Sequence, residues 1–231
     1  MVPRHVVVPV VGRGLLLLLG MAKPRGGVTQ GRGRRAGRTP NQLSDVREAA
    51  LSLFAERGYR STGVRDIADA LGIGATSVYS HVRSKGELLR EIVVATMDAV
   101  LRNQADAIAS TDDVVEQLRR AAESQIRYFT RFPREAIVTT RDFSWADPDD
   151  LPEILDKRQV YRGRIEELLE RGTAAGRFQP KNPKIGAFAI IEMCEAVPVW
   201  FRPDGELTED SVAYLYGEYA VRLAGATSPD R

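Results

Sequence analysis

The sequence predicts an all-α fold, and three observations predict it. Apolar residues recur at intervals of three and four from about residue 46 to about residue 223, the period of helices that each bury one stripe. No alternating apolar and polar run of useful length breaks the pattern, so strands are not expected. Within it, Gly72-Ile73-Gly74 separates two short helical runs, and two helices joined by a short turn containing glycine form a helix-turn-helix. The expected architecture is an N-terminal three-helix unit followed by a larger helical body.

The elements follow in order. Ser44 is the expected cap of a first helix with Val46, Ala49, Ala50, Leu53 and Phe54 at helical spacing, ending at Gly58. Ser61-Thr62-Gly63 leads into a second helix, Val64 to Leu71, with Val64, Ile67, Ala68 and Leu71 on one stripe. Asp66 sits in its first turn, where the helix dipole favours an anion. Gly72 suits the positive φ the turn needs, and Ala68 is small where the two helices must cross closely. Ala75 to His81 restarts the helix, with Val78 assigned to the core. Ser84 and Glu87 then fit a capping box that opens a long helix to about Ser110, with Leu88, Leu89, Ile92, Val93, Met97, Val100 and Leu101 in period.

The body continues in helices. Asp112 to Arg131 ends before Pro133, a shorter helix runs to Phe143, and Asp147-Pro148-Asp149-Asp150 separates it from Leu151 to Gly172. Ile185 to Phe201 is apolar nearly all round and so needs cover on more than one side. Pro198 is expected to kink or end it. Thr208 caps a last helix to about Leu223.

Charge is distributed unevenly. Residues 1–43 hold eight Lys or Arg and no acid, residues 44–91 hold seven of each sign, and the remainder carries 18 basic against 24 acidic residues. A basic arm thus precedes a neutral unit and an acidic body. Within the arm, residues 1–20 superficially resemble a secretory signal, but Gly12, Arg13 and Gly14 split the apolar run. They read as an upstream extension, with Met21 as the natural start. The Gly- and Arg-rich stretch that follows is expected to be disordered, either a solvated tail or an arm that binds phosphates or the minor groove. Cys194 is the one cysteine of the chain, which excludes an internal disulfide and a cysteine-built zinc site. No membrane segment, metal or cofactor is expected.

A helix-turn-helix places its second helix in the DNA major groove. The N-terminal face of that helix, Ala75, Thr76 and Ser77, would meet base edges, and Ser80 is a further DNA-binding candidate. Hydroxyls donate or accept there, and small apolar groups suit a thymine methyl.

The stretch LFAERGYRSTGVRDIADALGIGATSVYSHVRSKGELL, Leu53 to Leu89, closely resembles the DNA-binding domain of TetR-family transcriptional regulators. The resemblance implies a dimer, an N-terminal DNA module, a variable helical ligand domain, and an interface built from the last two long helices, here Ile185 to Phe201 and Thr208 to Leu223. With the disordered basic extension over 1–43 read from composition, it implies a DNA-binding domain over 44–90 and an effector-binding and dimerisation domain over 91–226. By similarity Arg65 reaches guanine, Tyr79, His81 and Lys85 hold the phosphate backbone, and Thr62 is a further phosphate candidate. The alternative for Tyr79 is packing on the module, and for His81 covering its apolar base. More weakly, Tyr128-Phe129-x-x-Phe132-Pro133-Arg134-Glu135-Ala136, Thr140-Arg141-Asp142 and Trp200 to Gly205 are similar to the branch that responds to acyl-CoA thioesters in lipid or sterol breakdown. Ala196, Pro198 and Val199 depart from that branch, which often has an aromatic residue and an arginine there, and the departure bears on phosphate contacts to a CoA.

The expected partners are therefore a double-stranded palindromic DNA operator, a second copy of the chain, and a small hydrophobic effector of acyl-CoA, fatty acid or sterol-derived type, in the cytoplasm. Candidate effector-binding residues are Tyr128, Phe129, Arg141, Phe143, Met193 and Trp200, each of which also fits ordinary core packing. Arg141 wants an anionic partner, and Asp142 or Glu195 could supply it. The rival readings are a DNA-binding architectural or division factor without small-molecule control, and an enzyme. The chain has no G-x-S-x-G elbow, P-loop or H-E-x-x-H, and its histidines, His5 and His81, lie outside the body, so catalysis is not expected.

Overall fold

A computed structural model describes residues 42–226. The expectations for the basic arm lie outside the described residues, except for its last two positions. Every regular element among the described residues is helical.

The N-terminal unit consists of α1 (Leu43–Arg57), α2 (Val64–Leu71) and α3 (Ala75–Tyr79). α1 begins one residue before the expected Ser44 cap. Gln42 holds the cap position and donates its N–H to the Asp45 carboxylate at 3.2 Å. An acid at the third helical residue thus satisfies an orphan amide of the first turn, and Ser44 falls inside the helix. At the other end Gly58 adopts φ +90° and donates to the Phe54 carbonyl at 2.8 Å. Gly72 terminates α2 at φ +68°, as the turn requires, and lets the Ile73 N–H reach the Ala68 carbonyl at 3.1 Å. α3 is shorter than expected: His81 lies beyond it in a tightened turn, its N–H on the Val78 carbonyl at 3.0 Å. Phe54, Ile67, Ala68 and Val78 are buried together as the core of this unit, and Tyr59 meets Phe54 edge to face at 5.3 Å.

α4 (Lys85–Ala109) carries the chain from this unit into the body, burying Leu88, Leu89, Ile92, Val93, Met97 and Val100. Ser84 caps it, accepting the Glu87 N–H at 3.1 Å. The Glu87 carboxylate takes the Arg83 N–H at 2.6 Å, one residue further back than a capping box places it.

The body adds α5 (Val114–Arg131), α6 (Pro133–Arg141), a 3-10 turn (Phe143–Trp145), α7 (Leu151–Ala174), α8 (Pro183–Glu195), α9 (Val197–Trp200) and α10 (Glu209–Leu223). The expected helix over Ile185 to Phe201 is divided into α8 and α9. Pro198 has no N–H for the Cys194 carbonyl, so the α8 ladder stops and the chain restarts with the proline in the first turn of α9. α10 packs along α5, α5 against α4, and α7 against α8 and α4. The α5–α10 crossing is close at Gly217, where a Cβ would stand 2.9 Å from Glu123 Cγ. Large apolar side chains stay partly exposed on α8, α9 and α10, namely Ile185, Phe188, Val199, Tyr214, Leu215, Tyr219 and Leu223. Among the described residues no helix is long and apolar enough to cross a membrane.

Candidate DNA-binding surface and effector cavity

The candidate DNA-binding residues fall on α2 (Arg65), α3 (Ala75, Thr76, Ser77 and Tyr79), the start of α4 (Lys85) and the connections before α2 (Thr62) and after α3 (Ser80 and His81). Arg65, Thr76, Tyr79 and Ser80 are exposed, while Ala75, Ser77 and His81 are half-buried. Tyr79 is 56% exposed, so its ring stands off the module rather than filling it. Ser80 turns its hydroxyl back onto the Ser77 carbonyl at 2.7 Å, and Thr76 is the exposed hydroxyl residue in the first turn of α3.

Lys85 and Thr62 are placed differently from a simple phosphate-contact picture. Thr62 is 1% exposed and donates its hydroxyl inward to the Gly58 carbonyl at 3.0 Å. Lys85 donates from Nζ to the carbonyls of Tyr59 and Thr62, both at 2.9 Å, and lies over the Tyr59 ring at 4.1 Å. Burial lowers the Lys85 ammonium below its usual range, with the Asp66 carboxylate opposing that shift. The ammonium therefore ties the α1–α2 connection to the N-terminus of α4. It retains one donor position of three for a phosphate.

A cavity of about 100 Å³ lies between α4, α5, α6, α7 and α8. Met97, Val100, Phe129, Phe188 and Ile191 give it an apolar lining. Its polar groups come from Gln125, Thr139, Thr140, Arg158, Tyr161, Arg162, Glu192 and Glu195. The Tyr161 hydroxyl donates to Gln125 Oε1 at 2.5 Å, and burial pushes its pKa well above the usual phenol range. Arg158 pairs with Glu195 at 3.1 Å, both side chains being largely enclosed. Burial raises the Glu195 carboxyl above the usual carboxylate range, Arg158 opposing that rise. Arg158 also covers the ring of Phe143 at 4.4 Å. Cys194 is fully buried with its thiol pKa raised, the opposite of what a nucleophile needs.

Of the six residues singled out from the sequence for effector binding, Phe129 lines this cavity, and Phe143 reaches it through Arg158. Tyr128 packs beside Phe132 at 4.9 Å between ring centres. Trp200 stacks on Tyr216 at 6.3 Å, and Met193 is half-buried against the core. Arg141 goes elsewhere. Its guanidinium donates to the Phe54 carbonyl, to the Ala55 carbonyl at 3.2 Å, and to Asp142 at 2.8 Å. Asp142 is thus the anion it pairs with, while Glu195 takes Arg158. The sequence reading missed Arg158, Tyr161 and Arg162 on α7, where two arginines one helical turn apart flank a tyrosine. A tyrosine between arginines on one face is the signal that could have marked them.

The same α6 that lines the cavity clasps the DNA-binding unit. Arg141 caps the last carbonyls of α1, and Asp142 accepts the Tyr59 N–H at 3.2 Å. At the start of α6, Arg134 reaches Glu48 at 2.7 Å and the Ser52 hydroxyl at 2.6 Å.

Comparison with known proteins agrees with this architecture. Residues 46–92 match the family described as bacterial regulatory proteins, tetR family, and residues 111–224 match the tetracyclin repressor-like C-terminal domain. The chain is 29% identical over 196 residues to the HTH-type transcriptional repressor KstR2 of Mycobacterium tuberculosis, covering 84% of this chain and 97% of that protein. The solved structure of the ketosteroid transcriptional regulator KstR2 of Mycobacterium tuberculosis superposes with a TM-score of 0.74 at 26% identity, over 83% of this chain and 100% of that one. AibR, solved in complex with isovaleryl coenzyme A and operator DNA, gives a TM-score of 0.71 at 25% identity, over 80% of this chain and 99% of that one. With a helix-turn-helix unit and a helical body each matched separately, the chain belongs to the TetR family of transcriptional regulators.

Proposed function

We propose that the chain acts as a dimeric repressor that binds a near-palindromic operator and leaves it when a small acyl or other hydrophobic effector occupies the cavity between α4 and α8. The observation that carries this reading is the double role of α6. Its Thr139 and Thr140 line the cavity, and its last residue Arg141, with Asp142, holds the C-terminus of α1 and the Tyr59 backbone. An effector that repositions α6 or α4 would therefore move the DNA-binding unit as well, and a ligand shifts such an equilibrium by its preference for one state. The apolar side chains left exposed on α8 and α10 support the pairing of two copies, which doubles the base contacts of a charge-neutral module. Arg65 and Thr76 are proposed to read bases, and Tyr79, His81 and Lys85 to hold phosphates. The relatives support the effector class: one is a ketosteroid regulator, and another was solved with an acyl-CoA and operator DNA.

The test is to select an operator from a random DNA pool and follow its binding by fluorescence anisotropy while pooled metabolites are added. Release by an acyl-CoA, fatty acid or sterol-derived compound is expected. Tight operator binding that no metabolite alters would leave a DNA-binding factor without small-molecule control.

A further inference from the structure

The acidic stretch Asp147-Pro148-Asp149-Asp150 separates two helices in the sequence, and in the fold it also reaches across to the DNA-binding unit. Residues 145–153 carry four acids and no Lys or Arg, and they meet that unit and the first turns of α4 at three places. Arg60, in the α1–α2 connection, lies over the Trp145 ring at 4.6 Å. Arg90 on α4 pairs with Asp150 at 3.2 Å and with Glu153 at 2.6 Å. Between these two, the Asp147 carboxylate lies against Gly86. These contacts are separate from those that Arg134, Arg141 and Asp142 make at the two ends of α6.

The approach is closest at Gly86. A Cβ there would stand 2.4 Å from Asp147 Oδ2, too near for both to stay in place. The absent side chain lets a carboxylate rest on the first turn of a 25-residue helix, where the dipole favours an anion. Alanine would otherwise suit the helix better than glycine. On its own side Asp147 is fixed by its backbone, because its carbonyl accepts the Asp150 N–H at 2.9 Å and the Leu151 N–H at 3.0 Å. It therefore moves with the start of α7. Its charge also reaches the Tyr59 phenol, whose pKa is raised by burial first and by Asp147 second.

Gly86 and Arg90 lie about one helical turn apart, roughly 6 Å along the axis. Holding both fixes the direction in which α4 leaves the DNA-binding unit. The stack of Arg60 on Trp145 lies off that helix and opposes rotation about it. We infer that Gly86, Asp147 and Arg90 are positioning residues for operator recognition: by holding α4 on two successive turns, they set the separation of the recognition helices in the paired molecule and so the half-site spacing it accepts. The inference rests on the dimeric, operator-binding reading above and adds the source of its geometric selectivity.

Anisotropy titration of the full chain tests it, with the selected palindromic operator and with the same operator lengthened by one base pair between its half-sites. The insertion moves the half-sites apart by about 3.4 Å, and the wild type is expected to lose at least about tenfold in affinity. Gly86→Ala, which displaces the Asp147 carboxylate, should shrink that ratio by about threefold or more, as should Asp147→Ala and Arg90→Met. Gly86→Ala and Asp147→Ala remove the same contact, so the double variant should shrink the ratio no further than either alone. If Gly86→Ala does not fold, Asp147→Ala and Arg90→Met carry the comparison, because both change residues with solvent access. A purely structural role would weaken both operators alike and leave the ratio at its wild-type value, and that result overturns the inference. A double variant whose loss is the product of the two single losses separates Asp147 from Gly86 and overturns it as well. Either result leaves the dimeric regulator standing. Wild-type affinity that the insertion does not change overturns both, because no linked pair then spans the two half-sites.

Discussion

The carboxylate of Asp142 accepts the backbone N–H of Tyr59 at 3.2 Å, joining the end of α6 to the loop that follows α1. Asp142 is 4% exposed and is also held by Arg141, so the contact combines a buried acceptor with two separate donors. Asp142→Ala would leave the Tyr59 N–H and the Arg141 guanidinium without it, a loss of about 1–3 kcal/mol in urea unfolding. If this joint transmits the effector signal, the variant should still bind operator while the ratio of affinities without and with effector falls toward one. An undiminished ratio would remove Asp142 from the coupling.

Lys85 closes the other side of the same joint. Its two bonds to the Tyr59 and Thr62 carbonyls have partial solvent access, which reduces their contribution. Lys85→Met keeps the aliphatic stem and loses both bonds and the charge. The expected cost is about 1 kcal/mol, or a fall of about 2–4 °C in melting temperature for a chain of this size. Operator affinity should fall together with the salt slope if a phosphate contact is also lost. A drop in stability with an unchanged salt slope would mean that Lys85 acts only as a tie.

The DNA-binding unit was legible in the sequence because its determinants are local. Gly72, Ala68 and Ser84 act within a few positions of their partners and appear where their residue types demand, whereas the cap of α1 falls at Gln42 rather than Ser44. The cavity was not legible in the same way. Its wall collects residues from five helices at the spacing that any buried face shows, so Phe129 and Trp200 look alike in sequence although one lines the cavity and the other stacks on Tyr216. Arg141 illustrates the same limit. Its need for an anion was readable, but which neighbour supplies it depends on how α6 lies against α1. The division at Pro198 was readable from the missing N–H alone.

The buried Glu195 should give stability a recognisable pH dependence. Its folded pKa is raised by burial, with Glu192 adding to the rise and Arg158 opposing it. The folded state therefore holds this proton to higher pH than the unfolded chain does. By linkage its contribution is fully present below the unfolded pKa and is lost as pH rises through the folded value. Urea midpoints measured from about pH 4.5 upward should show this decline in the wild type, and Glu195→Gln should flatten it. A variant whose midpoint follows the wild-type slope would show that Glu195 is not the group responsible.

On the DNA side, Arg65 and Thr76 are exposed at the starts of α2 and α3. Arg65→Ala is expected to cost about 1–3 kcal/mol of operator affinity and to relax the preference at one base position per half-site. Tyr79→Phe removes the hydroxyl but keeps the exposed ring, so it should weaken all sequences alike, by about 1 kcal/mol. Binding to a library of operator variants separates the two patterns. Uniform weakening by Arg65→Ala would reassign that residue to the backbone.

The outer face of α8 and α10 gives the last prediction. Leu215, Tyr219 and Leu223 recur along α10 at four-residue spacing and are all more than one-third exposed in the protomer, although their neighbours Val212, Ala213 and Ala220 are buried against the body. A helix apolar on two sides needs cover on both, and α5 with α8 packs against it while Leu215, Tyr219 and Leu223 stay exposed. Because Leu215 and Tyr219 contribute little to the protomer's own core, Leu215→Glu with Tyr219→Glu should leave helix content and protomer unfolding nearly unchanged. The acidic pair would instead face its own copies across a two-fold interface, where like charges repel. Light scattering should then show a monomer in place of a dimer. Affinity for a palindromic operator should fall by about a hundredfold, because the second half-site is no longer held by a linked copy. A variant that remains dimeric, or a monomer that binds the palindrome at full affinity, would place the interface on another face.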